Sequence, residues 1–325
     1  MTQEGFVPRI DISKPVESEV ARILGMAFVR RSLRSWCLRS RSMDLGERTV
    51  VMAILNITAD SFSGDGILAE KATAIDRGLA MLEAGAAILD IGGESTRPGK
   101  REPVSAQEEI DRVLPAIEGI LKAKPEAVIS IDTYKAETAM AAIEAGAEIV
   151  NDVSGFLWDE AMAETCSTLK CGVVLTHTRG RPDEWGKLPR LSAADVMLVV
   201  RLDLEDRLRT ADAAGVRRDR IVLDPGIGFG KAFESNYPLL ARLGELRQLG
   251  LPLLSGVSRK SFLARTLAPF YGGVDPAPYQ RGNATLAAVT ASILGGADII
   301  RVHDVRPAAE AAAIADAVLA AAVAG

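Results

Sequence analysis

Long apolar runs, paired cysteines and surplus positive charge are all scarce in this 325-residue chain, and each scarcity removes a class of protein. The three cysteines, Cys37, Cys166 and Cys171, fall in no paired or metal-ligand spacing, which argues against a disulfide scaffold and for a reducing, cytoplasmic compartment. A formal net charge of -5 argues against a broad polyanion-binding face, so no nucleic-acid partner is expected. Residues 1–13 are polar and acidic where an export signal would be basic and then apolar. The Ala-rich tail, 308–325, carries Glu310 and Asp316 and is too short to span a bilayer, so it reads as a closing helix and no membrane partner is expected. What is present is 48 % hydrophobic residues, enough at this length to bury a full core in one large α/β domain or two smaller ones.

Residues 1–48 lack the rhythm of the rest and form an extension. Positions 16–26 suit an amphipathic helix, and the Arg-rich stretch 30–41 reads as irregular or as a small hairpin. Trp36, Cys37 and Leu38 interrupt those arginines, which favours a packing or solvated role over nucleic-acid contact. From residue 49 to 325 the pattern is strand, loop, helix, repeated. Helical apolar spacing recurs over 71–84, 106–123, 135–145, 160–168, 192–213, 235–249 and 284–294. Gly85, Gly146 and Gly296 fit glycine C-caps that feed parallel strands.

Eight short apolar runs each end in polar residues: 49–55 before Asn56, 87–89 before Asp90, 128–131 before Asp132 and 148–150 before Asn151. The others are 172–175 before Thr176 and His177, 221–223 before Asp224, 251–254 before 255–260, and 299–302 around Arg301 and His303. Alternating strands and helices imply βαβ units, and eight of them imply a (β/α)8 TIM barrel with a short N-terminal extension. A doubly wound sheet is the alternative, but it would concentrate polar strand ends at one switch point.

Several stretches carry chemistry together. Asn56 offers an amide to a metal or a phosphate oxygen, and Asp60, Ser61 and Ser63 follow in a Gly-rich loop. A second loop opens with Asp90 and paired glycines and continues through Thr96 and Arg97. Asp132, Asn151, Asp224 with Lys231, Lys260 with Ser261, and Arg301 with His303 complete a ring of polar strand ends. "GIGFGKA" is not a P-loop, because three residues separate Gly226 from Gly230 and Ala232 stands where Ser or Thr would meet Mg2+. It also lacks the third glycine of a dinucleotide fingerprint and reads as a loop close to a flat ring.

On these residues, over about 43–320, the chain resembles the dihydropteroate synthase family of pterin-binding TIM barrels. The carriers are the two loops, Asp-Pro-Gly-x-Gly-Phe-Gly-Lys, Ser-Arg-Lys-Ser and Arg-x-His. The resemblance implies condensation of 6-hydroxymethyl-7,8-dihydropterin pyrophosphate with p-aminobenzoate, releasing pyrophosphate, in a homodimer that uses Mg2+. It assigns the pterin to Asp132, Asn151, Asp224, Phe229, Gly228, Gly256 and Lys260, and pyrophosphate to Asn56, Arg301 and His303, with Asn56 also the metal ligand. It assigns p-aminobenzoate to Phe62, Thr96 and Ser261, and catalytic roles to Asp60, Asp90, Thr96, Arg97 and Lys260. His177, beside the site, suits structural support and substrate contact equally.

The chain departs from the family pattern at Ala53, where glycine is usual, at Ala59, where proline is, at Gly64-Asp65-Gly66, and at Thr176, where methionine often packs on the pterin. Two alternatives stand beside the synthase reading. One is a pterin-binding methyltransferase on the same barrel, and the other is a relative that binds a pterin without turning it over.

Overall fold

A computed structural model describes residues 28–29, 31–57, 66–94 and 104–322. The expected helix over 16–26, and Ala59, Asp60, Ser61, Phe62, Ser63, Thr96 and Arg97, lie outside the described residues. Strands β3 (Val50–Asn56), β4 (Ile88–Gly92), β5 (Val128–Asp132), β6 (Ile149–Asp152), β7 (Gly172–Thr176), β8 (Ile221–Asp224), β9 (Leu254–Ser255) and β10 (Ile299–Val302) are parallel neighbours in chain order. Strand β10 returns to β3, with Ile299 opposite Val50, and a parallel bridge between Leu223 and Leu253 joins β8 to β9. Sequential order with both edges joined is a (β/α)8 barrel, and it rules out the doubly wound sheet.

Helices α1 (Gly66–Glu83), α2 (Ala106–Ala123), α3 (Ala136–Glu144), α4 (Met162–Leu169), α5 (Asp195–Ala213), α6 (Phe233–Ala241), α7 (Ser261–Leu267), α8 (Gly282–Leu294) and α9 (Val305–Ala321) accompany the strands. Gly85, Gly146 and Gly296 follow their helices at φ of +110°, +111° and +97°, as C-caps feeding β4, β6 and β10 require. Two expectations shift. The helix expected over 235–249 breaks after α6 into a 3-10 turn, Leu243–Leu249, where Gly244 packs against Val29. Strand β9 is shorter than the apolar run before it, because Pro252 has no N–H to give and Leu253 O accepts from both Asp298 and Ile299. The short helix α7 was not among the stretches with helical apolar spacing, and it starts at Ser261.

Period-two alternation sorts the barrel into two cores. Val51, Ala53, Leu55, Leu89, Ile91, Ile129, Ile131, Val150, Val173, Leu175, Leu223 and Ile300 face the helices. Met52, Ile88, Val128, Ile149, Val174, Val222, Leu254 and Ile299 point inward and form an apolar floor. Two residues further along these same inward faces stand Ile54, Asp90, Ser130, Asn151, Thr176, Asp224, Gly256 and Arg301. A layer of apolar side chains therefore supports a layer of mostly polar ones.

The extension is part of this construction. Strands β1 (Arg34–Cys37) and β2 (Ser42–Leu45) pair antiparallel, with Arg34 opposite Leu45. Trp36, Leu38 and Leu45 join the floor, and Trp36 donates its indole N–H to Arg220 O at 2.8 Å. Gly172 leaves them room, since a Cβ there would lie 2.7 Å from Leu38. The arginines of this stretch pack: Arg31 bonds Asp316 at 2.7 Å, Arg39 bonds Ile143 O at the end of α3 at 2.8 Å, and Arg41 bonds Glu148 at 3.2 Å. Trp36→Ala is expected to destabilise the protein by about 3 to 5 kcal/mol, the usual cost of emptying a buried aromatic site. Urea unfolding would measure it, and a loss below about 1 kcal/mol would mean that the hairpin does not brace the floor.

Candidate active site

The strand C-termini open into a cavity of about 380 Å³, within the range of small-molecule sites. Asn56, Asp132, Gly228, Phe229, Gly256, Lys260, Ser261, Arg301 and His303 line it, so nine of the residues singled out from sequence meet in one place. Asp90, Asn151 and Asp224 are buried in the layer beneath.

Arg301 is the hub of the site. Its Nε donates to Asp90 Oδ2 at 2.5 Å and its Nη2 to Asp132 Oδ2 at 2.5 Å. Asn151 donates to the same Asp90 oxygen at 3.0 Å, while Asp90 Oδ1 is buried with no hydrogen-bond partner among the described residues. Desolvation opposes the guanidinium charge, but Asp90 and Asp132 outweigh it and raise its pKa. Burial pushes the Asp132 carboxyl up to about 7 against the pull of Arg301. Two residues along β10 and its end, His303 shares the cavity, as period two requires. Ser258 Oγ accepts the His303 backbone N–H at 3.2 Å and lies 2.9 Å from Nδ1.

The Ser-Arg-Lys-Ser turn is shaped by a non-glycine residue in the left-handed region. Arg259 has φ +57°, its N–H bonds Thr285 Oγ1 at 3.0 Å, and its guanidinium forks onto Asp304. Such strain persists only when the surroundings hold it, and here it places Ser258 and Lys260 together in the cavity wall. Lys260 Nζ lies 4.0 Å above the Phe229 ring and donates to Ile227 O. Desolvation pulls its ammonium down to about 8, and the carboxylate of Asp224 resists this.

Asp224 ends β8, with Oδ1 accepting the Gly226 N–H at 2.7 Å. Its Oδ2 lies 3.7 Å from where a Cβ on Gly256 would sit, so glycine at 256 keeps the approach to the carboxylate open. Burial raises the Asp224 pKa, and Lys260 opposes it. Gly226, Gly228 and Gly230 all have positive φ, and a Cβ on Gly226 would lie 1.8 Å from His177 O. The loop therefore depends on glycine at these points.

Sequence reasoning left out three lining residues with their own partners. Glu94 ends the described part of the second loop and bonds Lys135 at 2.5 Å, which also bonds Glu109 at 3.0 Å. Trp185 sits edge-on to Phe229, 5.4 Å between centroids, and Arg281 holds Arg259 O at 2.7 Å beside Pro278. The long connection between β7 and α5 was the available signal for Trp185, since such loops tend to serve a site. His177 does not line the cavity. It is buried between Asp203 and Lys231, which makes it a supporting residue. Thr176 is buried opposite Asp224 in the β7–β8 register, and Ala53 faces the helices away from the cavity.

Among the described residues no group of three or more His, Cys, Asp or Glu could hold a metal. Asn56 offers the cavity a single carbonyl oxygen, and that suits Mg2+, which keeps waters and takes substrate phosphate oxygens in place of a full protein cage. Cys37, Cys166 and Cys171 are free thiols, and no described helix is long and apolar enough to cross a membrane.

A barrel with a cavity at its strand C-termini, lined by carboxylate, ammonium and guanidinium groups, has the layout of a TIM-barrel enzyme. Residues 52–303 match the family described as pterin binding enzyme. A dihydropteroate synthase of Synechocystis is 43 % identical over 84 % of this chain and 91 % of its own length. Two solved structures of the Xanthomonas albilineans dihydropteroate synthase, both 36 % identical, superpose well. The one with 4-aminobenzoic acid has a TM-score of 0.78 over 89 % of this chain and 99 % of that one. The one with 7,8-dihydropteroate scores 0.72 over 84 % and 94 %. The chain belongs to the dihydropteroate synthase family of pterin-binding enzymes, which are transferases.

Proposed function

We propose that this chain joins 6-hydroxymethyl-7,8-dihydropterin pyrophosphate to p-aminobenzoate and releases pyrophosphate. The observation that carries the reading is the meeting, in one cavity, of a ring-sized slot at Phe229, Gly228 and Gly256 with the cationic and imidazole edge of Arg301 and His303. An aminopyrimidinone edge offers several N–H donors, and the buried Asp224 carboxylate below Gly256 can accept two of them. Asp132 and Asn151 take the rest of the bicycle, and Lys260 its carbonyl and ring nitrogen. Asp90 holds Arg301 from beneath.

The C–O bond to pyrophosphate breaks first, leaving a cation on the exocyclic methylene that the electron-rich dihydropterin stabilises. The arylamine nitrogen then attacks that carbon and loses a proton. No protein nucleophile is required. Arg301 and His303 stabilise the departing anion, the cavity walls exclude water, and Ser261 meets the aminobenzoate carboxylate at the start of α7. Mg2+, held through Asn56, would neutralise pyrophosphate charge when bound. The chain's Asp60, Phe62, Thr96 and Arg97 would complete the site from the two loops.

A homodimer through late-barrel elements would cover Phe270 and Tyr279, which are 83 % and 77 % exposed. Sedimentation as a single 34.5 kDa species would remove that part of the reading. Three free thiols suit a cytoplasmic location.

The test is pyrophosphate release from the dihydropterin substrate with p-aminobenzoate and Mg2+. Release is expected, and pterin binding without release would overturn the synthase reading in favour of a binding-only relative. Run across pH, the same assay probes Lys260. Its ammonium is present below about pH 8 and lost above it, so kcat/KM should fall on the alkaline side with an apparent pKa near 8. A flat profile between about pH 7 and 10 would remove Lys260 from its role.

A further inference from the structure

The wall of the cavity formed by residues 225–230 is folded around the buried ammonium of Lys231. An ammonium has three N–H bonds to give, and three close acceptors take them. Gly226 O lies at 2.7 Å, Phe229 O at 3.1 Å and His177 Nδ1 at 2.8 Å, with His177 O further off at 3.5 Å. Because Nδ1 must accept, the imidazole proton sits on Nε2, where Asp203 Oδ2 receives it at 2.9 Å. Asp203 belongs to α5 in the outer helical layer, and its side chain is 37 % exposed. A surface carboxylate, a neutral imidazole and a buried cation thus run in line to two loop carbonyls.

The groups around this line keep the imidazole neutral, while the ammonium is held by the geometry of its three acceptors against its surroundings. Burial and the Lys231 cation hold His177 neutral, down at about 3, against the pull of Asp203. Desolvation lowers the Lys231 ammonium, Lys260 and Arg179 add to this, and Asp224 and Asp203 oppose it. Arg207 also faces Asp203.

The loop needs such a fastening. Its backbone passes through positive φ at Gly226, Gly228 and Gly230, and glycine segments lose the most freedom when ordered. Everything the loop brings to the cavity hangs on its course: Ile227 O receives Lys260, and the Phe229 ring lies between Lys260 and Trp185. Lys231, His177 and Asp203 do not line the cavity, so their effect on it passes through the loop.

We propose that Asp203, His177 and Lys231 form a positioning chain that holds the 225–230 loop in place and thereby pre-organises the slot for the pterin ring. The slot's ligand rests on the pterin reading above. The fastening does not.

The chain contains two histidines, so imidazole 15N spectra of the labelled full-length protein resolve both, and His303→Gln identifies His177 by elimination. His177 is expected as the neutral Nε2–H tautomer from about pH 5 to 9. An Nδ1–H tautomer, or titration within that range, would overturn the proposal. In steady-state assays Lys231→Met is expected to raise the KM for the pterin substrate about tenfold while the KM for p-aminobenzoate stays within about twofold. His177→Leu should behave alike. His177→Asn, whose Oδ1 can replace Nδ1 as the acceptor for Lys231, should restore most of the loss. Asp203→Asn leaves the fold's interior untouched and retains an acceptor for Nε2–H, so it should keep the tautomer and show an intermediate KM. Equal rises in both KM values, or no difference between the His177 variants, would refute the chain's role. Should the wild-type protein release no pyrophosphate, the pterin reading fails, and the 15N spectra together with Trp185 emission in Lys231→Met still decide whether the loop is fastened this way.

Discussion

Arg301→Ala is expected to cost the folded protein about 3 to 5 kcal/mol and to abolish measurable pyrophosphate release. The guanidinium is the common partner of Asp90, which is fully buried, and of Asp132, both at 2.5 Å. Among the described residues Asp90 already has one oxygen without a partner, so removing Arg301 would leave it only the Asn151 amide there. Breaking a buried pair from one side is costly because the remaining charge has nothing to replace its hydration. The deficit should shrink as pH falls toward about 7, since without the pull of Arg301 the Asp132 carboxyl takes up its proton above the value of about 7 that it has beside the guanidinium. Urea titrations at two pH values measure this directly. A loss below about 1 kcal/mol, or one that grows at lower pH, would contradict the pairing. Under conditions where the variant remains folded, pyrophosphate should bind more weakly while p-aminobenzoate is little changed. Equal losses would remove Arg301 from the anion side of the site.

Asp224→Asn should weaken pterin binding by about 1.5 to 3 kcal/mol through loss of charge-assisted hydrogen bonds. The substitution is selective. A carboxamide oxygen can still accept the Gly226 N–H now held at 2.7 Å, so the loop has no reason to unfold. What disappears is the second anionic oxygen, the one beside Gly256, and with it the negative charge that props up the Lys260 ammonium. The alkaline limb of the pH profile should therefore move below pH 8, because desolvation of Lys260 would meet less opposition. Calorimetry of pterin binding and the pH profile test the two parts separately. Unchanged affinity would take Asp224 out of its role, and an unmoved limb would mean that Asp224 does not sustain the charge on Lys260.

The barrel was legible because its strands are short apolar runs that each end in polar residues. Asn56, Asp90, Asp132, Asn151, Asp224 and Arg301 were visible for that reason, and the structure brings them to one end of the barrel. Their connections were not legible. Arg301 meets Asp90 across 211 positions and Asp132 across 169, and no local pattern encodes such a pairing. Sequence could separate ring-reading residues from anion-holding ones on paper, yet Arg301 ties the two groups together. Lys231 was noticed only as the end of a glycine motif. Its burial, and its use of His177 and Asp203, depend on which helix lies outside β7 and β8. Trp185 and Glu94 carry no motif, and only packing against Phe229 and Lys135 marks them. The hairpin at Arg34–Leu45 was an allowed reading of the arginine stretch, but nothing in its spacing said that Trp36 would reach the barrel floor.

With Trp36, Leu38 and Leu45 filling one end, the barrel of the described residues is a well that opens at the strand C-termini. Traffic in such a well is last in, first out. A molecule that rests over Asp224 has to arrive before anything that sits nearer the rim, and it can leave only after the rim is cleared. On the proposed division of the cavity, p-aminobenzoate arriving first would block the pterin, so the depth of each partner in the well sets the order of entry.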